Sequence, residues 1–343
     1  MMDNMSGKYA AIIIPTLCRY DHLKRCVESL QNNSYARYSE LYIGLDYPPE
    51  DKYLDGYKKI EQYLDLGIDG FANVFIIKQD HNLGAVRNMS YLIKMVMKRH
   101  DTFIFSEDDN EFSANYLEFM NKTLWKYNNN ENVVAVSGYN YPMSVKTTNA
   151  NVYYSNTYFS AFGFGTWSKK FGNMLDEMTV SWLNGVYNDS DTMKKLMKAA
   201  PNQYCNFVKS MVGYTAQIVR NDEVWKMDLT YGLYMFSHDL KMIFPTISKV
   251  RNWGYDGSGV NCDVMDYDNT KPITHRNYNF DCQELDYNLS MREIVEVSHD
   301  EEKLFSDGIK DFFYIPNREL IKTYFAYNAS RLLGLKMMRK IIR

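Results

Sequence analysis

Apolar runs and apolar stripes take turns along the first 140 residues. "YAAIIIPT" (9–16) is a continuous apolar run of strand length. "DHLKRCVESLQ" follows it with Leu23, Cys26, Val27 and Leu30 at i, i+3, i+4 and i+7, the spacing of one helix face, and Asp21 is its expected N-cap. "LYIGLD" (41–46) predicts a second strand, and "KYLDGYKKIEQYLDLG" (52–67) a helix closing at Gly67. "NVFIIKQ" (73–79) is a third strand, followed by a helix over 84–100 with Met89, Leu92, Ile93 and Val96 on one face. "TFIFSED" (102–108) is the fourth strand. "SANYLEFMNKTLWKY" (113–127) is a helix with Ser113 as its expected cap, and "VVAVSGY" (133–139) is a fifth strand. Strict alternation of this kind predicts an α/β fold, a mainly parallel sheet flanked by helices. After Tyr141 the alternation stops, and 142–260 reads as a less regular region rich in Tyr, Asn, Gly and Trp.

Ligands of parallel sheets bind at the carboxyl ends of the strands. In "TFIFSEDDNEF" (102–112) a buried-type strand runs straight into Glu107, Asp108 and Asp109. Three adjacent acids repel one another unless a cation joins them, and carboxylate oxygens at a strand end suit Mg²⁺ or Mn²⁺ shared with a diphosphate. With 42 acids in 343 residues such a run is not rare, so its position carries the weight. The other strand ends are polar too. Thr16 and Arg19 follow the first, Asp46 the second, and His81, Asn82, Gly84 and Arg87 the third.

Composition narrows the class. A net charge of −3 disfavours wholesale nucleic-acid binding. The five cysteines, Cys18, Cys26, Cys205, Cys262 and Cys282, show no C-x-x-C spacing, which points away from zinc or a disulfide framework and toward a reducing compartment. The N-terminus lacks an apolar signal region, and no apolar run approaches the ~18–20 residues of a membrane span. A cytoplasmic protein is expected. From Arg318 to Arg343, seven Lys/Arg stand against one acid, Glu319, and "SRLLGLKMMRKIIR" mixes them with Leu, Met and Ile. Two readings stay open: a basic amphipathic helix lying on the inner, anionic face of a cell membrane, or a terminal helix docked on the body.

"IIIPTLCRYDHLKRCVESL", "LYIGLD", "NLGAVRN" and "FSEDDNEF" resemble the GT-A glycosyltransferases, the Rossmann-like fold of bacterial family 2 enzymes. The closer resemblance is to the alpha-mannoside N-acetylglucosaminyltransferase I type. "VSGYN" (136–140) and, loosely, "GFGTW" (163–167) match its later motifs, and "MDLTYG" (227–232) precedes "FPTISKVRNWGYDGSGVN" (244–261) at the family's distance. The resemblance covers about residues 10 to 262. It implies a nucleotide-sugar-binding half (1–141), an acceptor and catalytic half (142–262) and a C-terminal helical extension (263–343).

It also implies roles. Thr16, Arg19 and Asp46 would hold the nucleotide with His81 and Arg87. Asp108 would contact ribose or sugar, and Asp109 would bind Mn²⁺ or Mg²⁺. Asp228 would be the general base of an inverting transfer, with Asp222 and Glu223 as rivals. Glu107, Asn140, Gly165, Trp167 and Arg251 would line the donor and acceptor pocket, and the loop 252–260, with Gly254, Gly257 and Gly259, would close over the donor. The implied donor is a nucleotide-diphosphate sugar, UDP by the closer resemblance. The implied acceptor is a glycan or lipid-linked molecule of bacterial surface polysaccharide synthesis. The chain departs from the pattern in three places: Asp228 has no adjacent acid, Lys249 replaces an Arg, and Trp167 is one residue late. His238 and His275 are further candidates for metal or phosphate contact. A nucleotidyltransferase would need a Gly-rich loop after the first strand, and "PTLCRYDHL" has no glycine. A non-catalytic carbohydrate- or nucleotide-binding protein on the same fold is the alternative.

Overall fold

The computed structural model describes residues 8–343 except 144, 146, 148, 214–217, 221–222, 227, 259–284, 292 and 343, and leaves out the side chains of 220 and 340–342. Asp222, Gly259, Cys262, His275 and Cys282 therefore lie outside the described residues.

The chain alternates first. β1 (Ala11–Thr16), α1 (Tyr20–Gln31), β2 (Glu40–Leu45), α2 (Leu54–Asp65), β3 (Asn73–Lys78), α3 (Ala85–Met97) and β4 (Thr102–Phe105) follow the apolar pattern. A short β5 (Asn110–Phe112), α4 (Tyr116–Lys126) and β6 (Val133–Ser137) complete this part. Then come β7 (Val152–Ser155), β8 (Phe164–Trp167) and a helical stretch: α5 (Ser168–Glu177), α6 (Val180–Asn188), α7 (Ser190–Ala199) and α8 (Pro201–Val212). A small hairpin, β9 (Val219–Arg220) and β10 (Glu223–Val224), leads to α9 (Asp228–Ser237), β11 (Lys241–Pro245) and β12 (Val250–Asn252). The chain ends on α10 (His299–Phe312), α11 (Asn317–Leu333) and α12 (Leu335–Ile342).

One eight-stranded sheet, in the order β3-β2-β1-β4-β8-β6-β11-β7, takes strands from both sides of residue 141. Neighbours from β3 to β4 are parallel. β8 runs antiparallel between β4 and β6, and β7 is an antiparallel edge on β11. The buried runs Ile12–Ile14, Phe103–Phe105, Val133–Val136 and Met242–Phe244 form its centre.

Two expected caps differ. Arg19, not Asp21, holds the N-cap position of α1, and Asp21 lies inside its first turn. Asn115 precedes α4, while the Ser113 hydroxyl donates to Asn115 Oδ1 at 3.0 Å. The expected irregular region is largely helical between 168 and 237. α8 and α9 are buried on most sides, with Gln203, Ser210 and Thr230 inside alongside Phe207, Val208 and Leu233, so no apolar stripe marks them. Their punctuation was present all the same: Pro201 opens α8, and Gly213, at φ +93°, closes it.

The segment after 284 is tied back onto the body at Lys249. Its ammonium is buried 2.6 Å from Asp286 Oδ2 and 3.2 Å from Asn115 Oδ1, and Asp286 N–H donates to Ser248 O at 2.9 Å. Lys249→Met strands a buried carboxylate and is expected to cost about 3–5 kcal/mol, read as a lower urea midpoint at neutral pH.

Candidate active site

β1 and β4 are parallel neighbours with Ile13 opposite Phe105, so the chain leaves both strands side by side. That register places Thr16 and Arg19 against the acids. Thr16 Oγ1 donates to Asp108 Oδ2 at 2.7 Å. The Arg19 guanidinium bridges both aspartates, through Nη2 to Asp108 Oδ1 and through Nη1 to Asp109 Oδ2 at 2.8 Å. Asp108 and Asp109 are only 4% and 6% exposed.

A second element closes on the same spot. β5 pairs antiparallel with β12, matching Asn110 to Asn252 and Glu111 to Arg251. Asn252 Nδ2 then donates to Asp109 Oδ1 at 2.6 Å, and Trp253 N–H to Asp109 O at 2.8 Å. The Trp253 indole N–H reaches Glu111 Oε2 at 2.7 Å, and the Arg25 and Arg251 guanidinium carbons lie 4.7 and 4.2 Å from its ring centroid. His22 Nε2 lies 3.3 Å from Trp253 O and 3.2 Å from Asp256 Oδ2. Gly254 is pressed on the acids: a Cβ there would sit 2.2 Å from Asp109 Oδ2.

The third contributor is remote in sequence. Asp228 opens α9 and takes a backbone hydrogen bond from Ala161, in the segment leading into β8. Burial pushes its carboxyl up to about 7. Its charge also reaches Glu107, whose carboxyl is pushed up to about 8 by burial, Asp109 and Asp228, against the pull of Arg19. Burial likewise raises Asp108, although Arg19 and Thr16 oppose it. Glu107, Asp108 and Asp109 thus share the Arg19 guanidinium, with Asp228 adding its charge at Glu107, an arrangement short of positive charge.

That shortage suits a hard divalent cation. Among the described residues, no three His, Cys, Asp or Glu are grouped to hold an ion unaided. An ion here would take one or two carboxylate oxygens and complete its shell from water and ligand phosphate. The donor set fits, with both Asp109 oxygens now engaged by Arg19 and Asn252.

Other expected residues lie apart. Asp46 is buried at the end of β2, but its carboxylate is engaged by the backbone N–H groups of Leu83 and Gly84, each at 2.8 Å, and so pins the loop before α3. His81 is exposed and paired with Asp80, and Arg87 is exposed on α3. Asn140 is buried after β6. It donates to Thr246 O at 2.9 Å and accepts from the Tyr153 hydroxyl at 2.7 Å, bracing the β11–β12 connection. Gly165 and Trp167 do not join the acids, because β8 runs antiparallel: Trp167 lies opposite Thr102, at the far end of β4. Gly165 sits mid-sheet, where a Cβ would come within 2.8 Å of Met120 Cε. The start of β8 lies nearer: Phe164 is opposite Phe105 at the acid end of β4, and Ala161 before it donates to Asp228. Glu223 is exposed on β10, and His238 pairs with Glu177 at 2.9 Å. Sequence reading missed Asn252, His22 and Trp253. The loop that carries Asn252 and Trp253 was singled out, but the pairing of two three-residue strands has no readable pattern, and His22 is a polar residue of α1 that no motif marks.

Residues 11–184, just over half of the chain, match the family model described as Glycosyl transferase family 2. Among curated proteins no sequence matches. Solved structures similar in part include S. aureus TarS 1-349 in complex with UDP, at 10% identity and TM-score 0.37, covering 59% of this chain and 63% of that one. Another is the mannosyltransferase PcManGT from Pyrobaculum calidifontis in complex with GDP-Man and Mn2+, at 12% identity and TM-score 0.30, covering 49% and 46%. Across four such solved chains, this chain spans between 29% and 63% of their length. The sheet order, the acids at the carboxyl end of β4 and the match over 11–184 agree: the chain belongs to glycosyl transferase family 2, with a mixed α/β fold of GT-A type.

Proposed function

We propose that this chain is an inverting, metal-dependent glycosyltransferase. It moves a sugar from a nucleotide-diphosphate donor, a UDP-sugar by the sequence resemblance, to a hydroxyl of a glycan or lipid-linked acceptor. The setting is surface polysaccharide synthesis at the inner face of a bacterial membrane. The observation that carries this is the convergence of Thr16, Arg19, Asp108 and Asp109 at adjacent strand ends, with Asp228 of α9 close enough for its charge to act on the neighbouring Glu107.

In this reading Asp108 faces ribose or sugar, and Asp109 holds Mg²⁺ or Mn²⁺. The bound ion supplies charge neutralisation for the diphosphate. Arg19, released from one aspartate, pairs with phosphate oxygens, a geometry its fork suits. Asp228 accepts the proton of the acceptor hydroxyl as that oxygen attacks the anomeric carbon on the face opposite the leaving diphosphate. The segment from Asn252 to Asp256, hinged on Gly254, keeps water out over the donor. Gly254→Ala forces a methyl into the Asp109 oxygen and is expected to weaken metal-dependent UDP binding or turnover about a hundredfold, the scale of a 1 Å misplacement.

Calorimetric titration with UDP, GDP and CDP, with and without Mn²⁺, tests the donor reading. Metal-dependent UDP binding supports it. Preference for GDP or CDP changes the donor and keeps the mechanism. Absence of any nucleotide binding sinks it.

A further inference from the structure

We propose that the outward face of α11, with its basic rim, is a docking surface for an anionic phospholipid bilayer. α11 is inverted relative to an ordinary surface helix. The side of α11 turned to the protein is polar, with Thr323, Tyr327 and Ser330 buried. The side turned to solvent carries Ile321, Phe325 and Leu332, which are 55%, 67% and 87% exposed. At helical periodicity these three fall within about 40° of one another, opposite the buried trio. Tyr324, Leu333 and Met337 extend the exposed apolar area. A surface helix of a globular protein normally shows the reverse, and a contiguous exposed apolar stripe marks an interaction site.

Charge selects the occupant. Arg318 and Lys322 are exposed on α11 beside the stripe, and Lys336 is exposed at the start of α12, just past the end of α11. Between 317 and 343 the sequence holds one acid, Glu319, and it is paired with Lys209 of α8 at 2.7 Å. A second copy packed on a two-fold axis would bring two basic rims together, which is unfavourable. An anionic lipid surface takes both features, inserting apolar side chains below the headgroups and meeting lysines at their level.

The basic segment after Gly334 plays a different part. In α12, Met338 is buried, and Arg339 Nε and Nη2 donate to Met211 O of α8 at 3.1 and 2.9 Å. α12 is therefore anchored to the body, and the free apolar face belongs to the helix before it. The inference deepens the reading of a lipid-linked acceptor, but its test does not depend on turnover.

The test is co-sedimentation of the whole chain with phosphatidylcholine vesicles, with and without phosphatidylglycerol. Binding is expected only with phosphatidylglycerol and is expected to fall with added salt. Phe325→Asp combined with Leu332→Asp should lower the bound fraction about tenfold, and Lys322→Glu with Lys336→Glu by a similar factor. All four positions are exposed, so thermal unfolding and UDP binding should not change. Equal binding to both vesicle types, no binding, or binding unaffected by either pair overturns the proposal. So does a dimer that the aspartate pair converts to monomer, which would give the face to a second copy. A wild type that binds vesicles but no nucleotide would strike the catalytic reading and leave this one standing.

Discussion

Asp228→Asn is expected to lower kcat about a thousandfold while leaving UDP affinity unchanged, the signature of a lost general base. Asparagine keeps the shape and can still accept the Ala161 hydrogen bond, but it cannot take a proton at neutral pH. The substitution also removes one of the charges pressing on Glu107. Stability should therefore hold or rise slightly, which separates a chemical role from a structural one. The wild-type pH profile makes the same point. Burial holds the Asp228 carboxyl near 7, and the charged or titratable groups coupled to it among the described residues are Glu107 and Tyr231. A base works deprotonated, so kcat/KM should rise with pH and level off above a midpoint at or below about 7, since any cation bound nearby favours the carboxylate. The asparagine variant should lose that limb. A profile flat from about pH 5 to 8, or full activity in Asp228→Asn, removes Asp228 from the chemistry.

How far the sequence reveals this site depends on how local each contact is. Strands β1, β2 and β4 were legible because both faces of a parallel sheet are covered, so each is a nearly continuous apolar run, and the half-exposed edge β3 keeps such a run from Val74 to Ile77. Thr16, Arg19 and the acid triplet were legible because strand ends in such a sheet are where ligands bind. Asp228 could be singled out only by resemblance. Nothing in "WKMDLTY" says that α9 points its first residue at β4, since α9 is buried almost all round and has no apolar stripe to orient it. Trp167 misled because a motif gives order along the chain and not strand direction: reversing β8 moves it from the site to the opposite end of the sheet. Lys249 shows the converse. It stands where the family has an arginine, yet its charge is spent on Asp286, a partner 37 residues away that no periodicity announces.

Asp109→Ala is expected to abolish the effect of Mn²⁺ on UDP binding and to lower kcat/KM about a thousandfold. Its metal-free arm distinguishes a metal ligand from a structural acid. Without an ion, Asp109 is a negative charge facing the place proposed for a diphosphate, and it occupies one arm of Arg19. Removing it frees that arm for phosphate and relieves like-charge repulsion. Metal-free UDP affinity should then stay level or rise, even as the metal-dependent gain disappears. A purely structural acid would behave otherwise. Its loss would leave Asn252 and Arg19 without their shared acceptor, loosen the β5–β12 pairing, and weaken UDP binding equally with and without Mn²⁺. Thr16→Val is the control for the neighbouring aspartate. It removes the 2.7 Å hydrogen bond to Asp108 while leaving Asp109 and its partners in place, so the response to Mn²⁺ should survive. If both variants lose the metal effect alike, the ion is not held by Asp109, and the crowding of acids at the end of β4 needs a different cation.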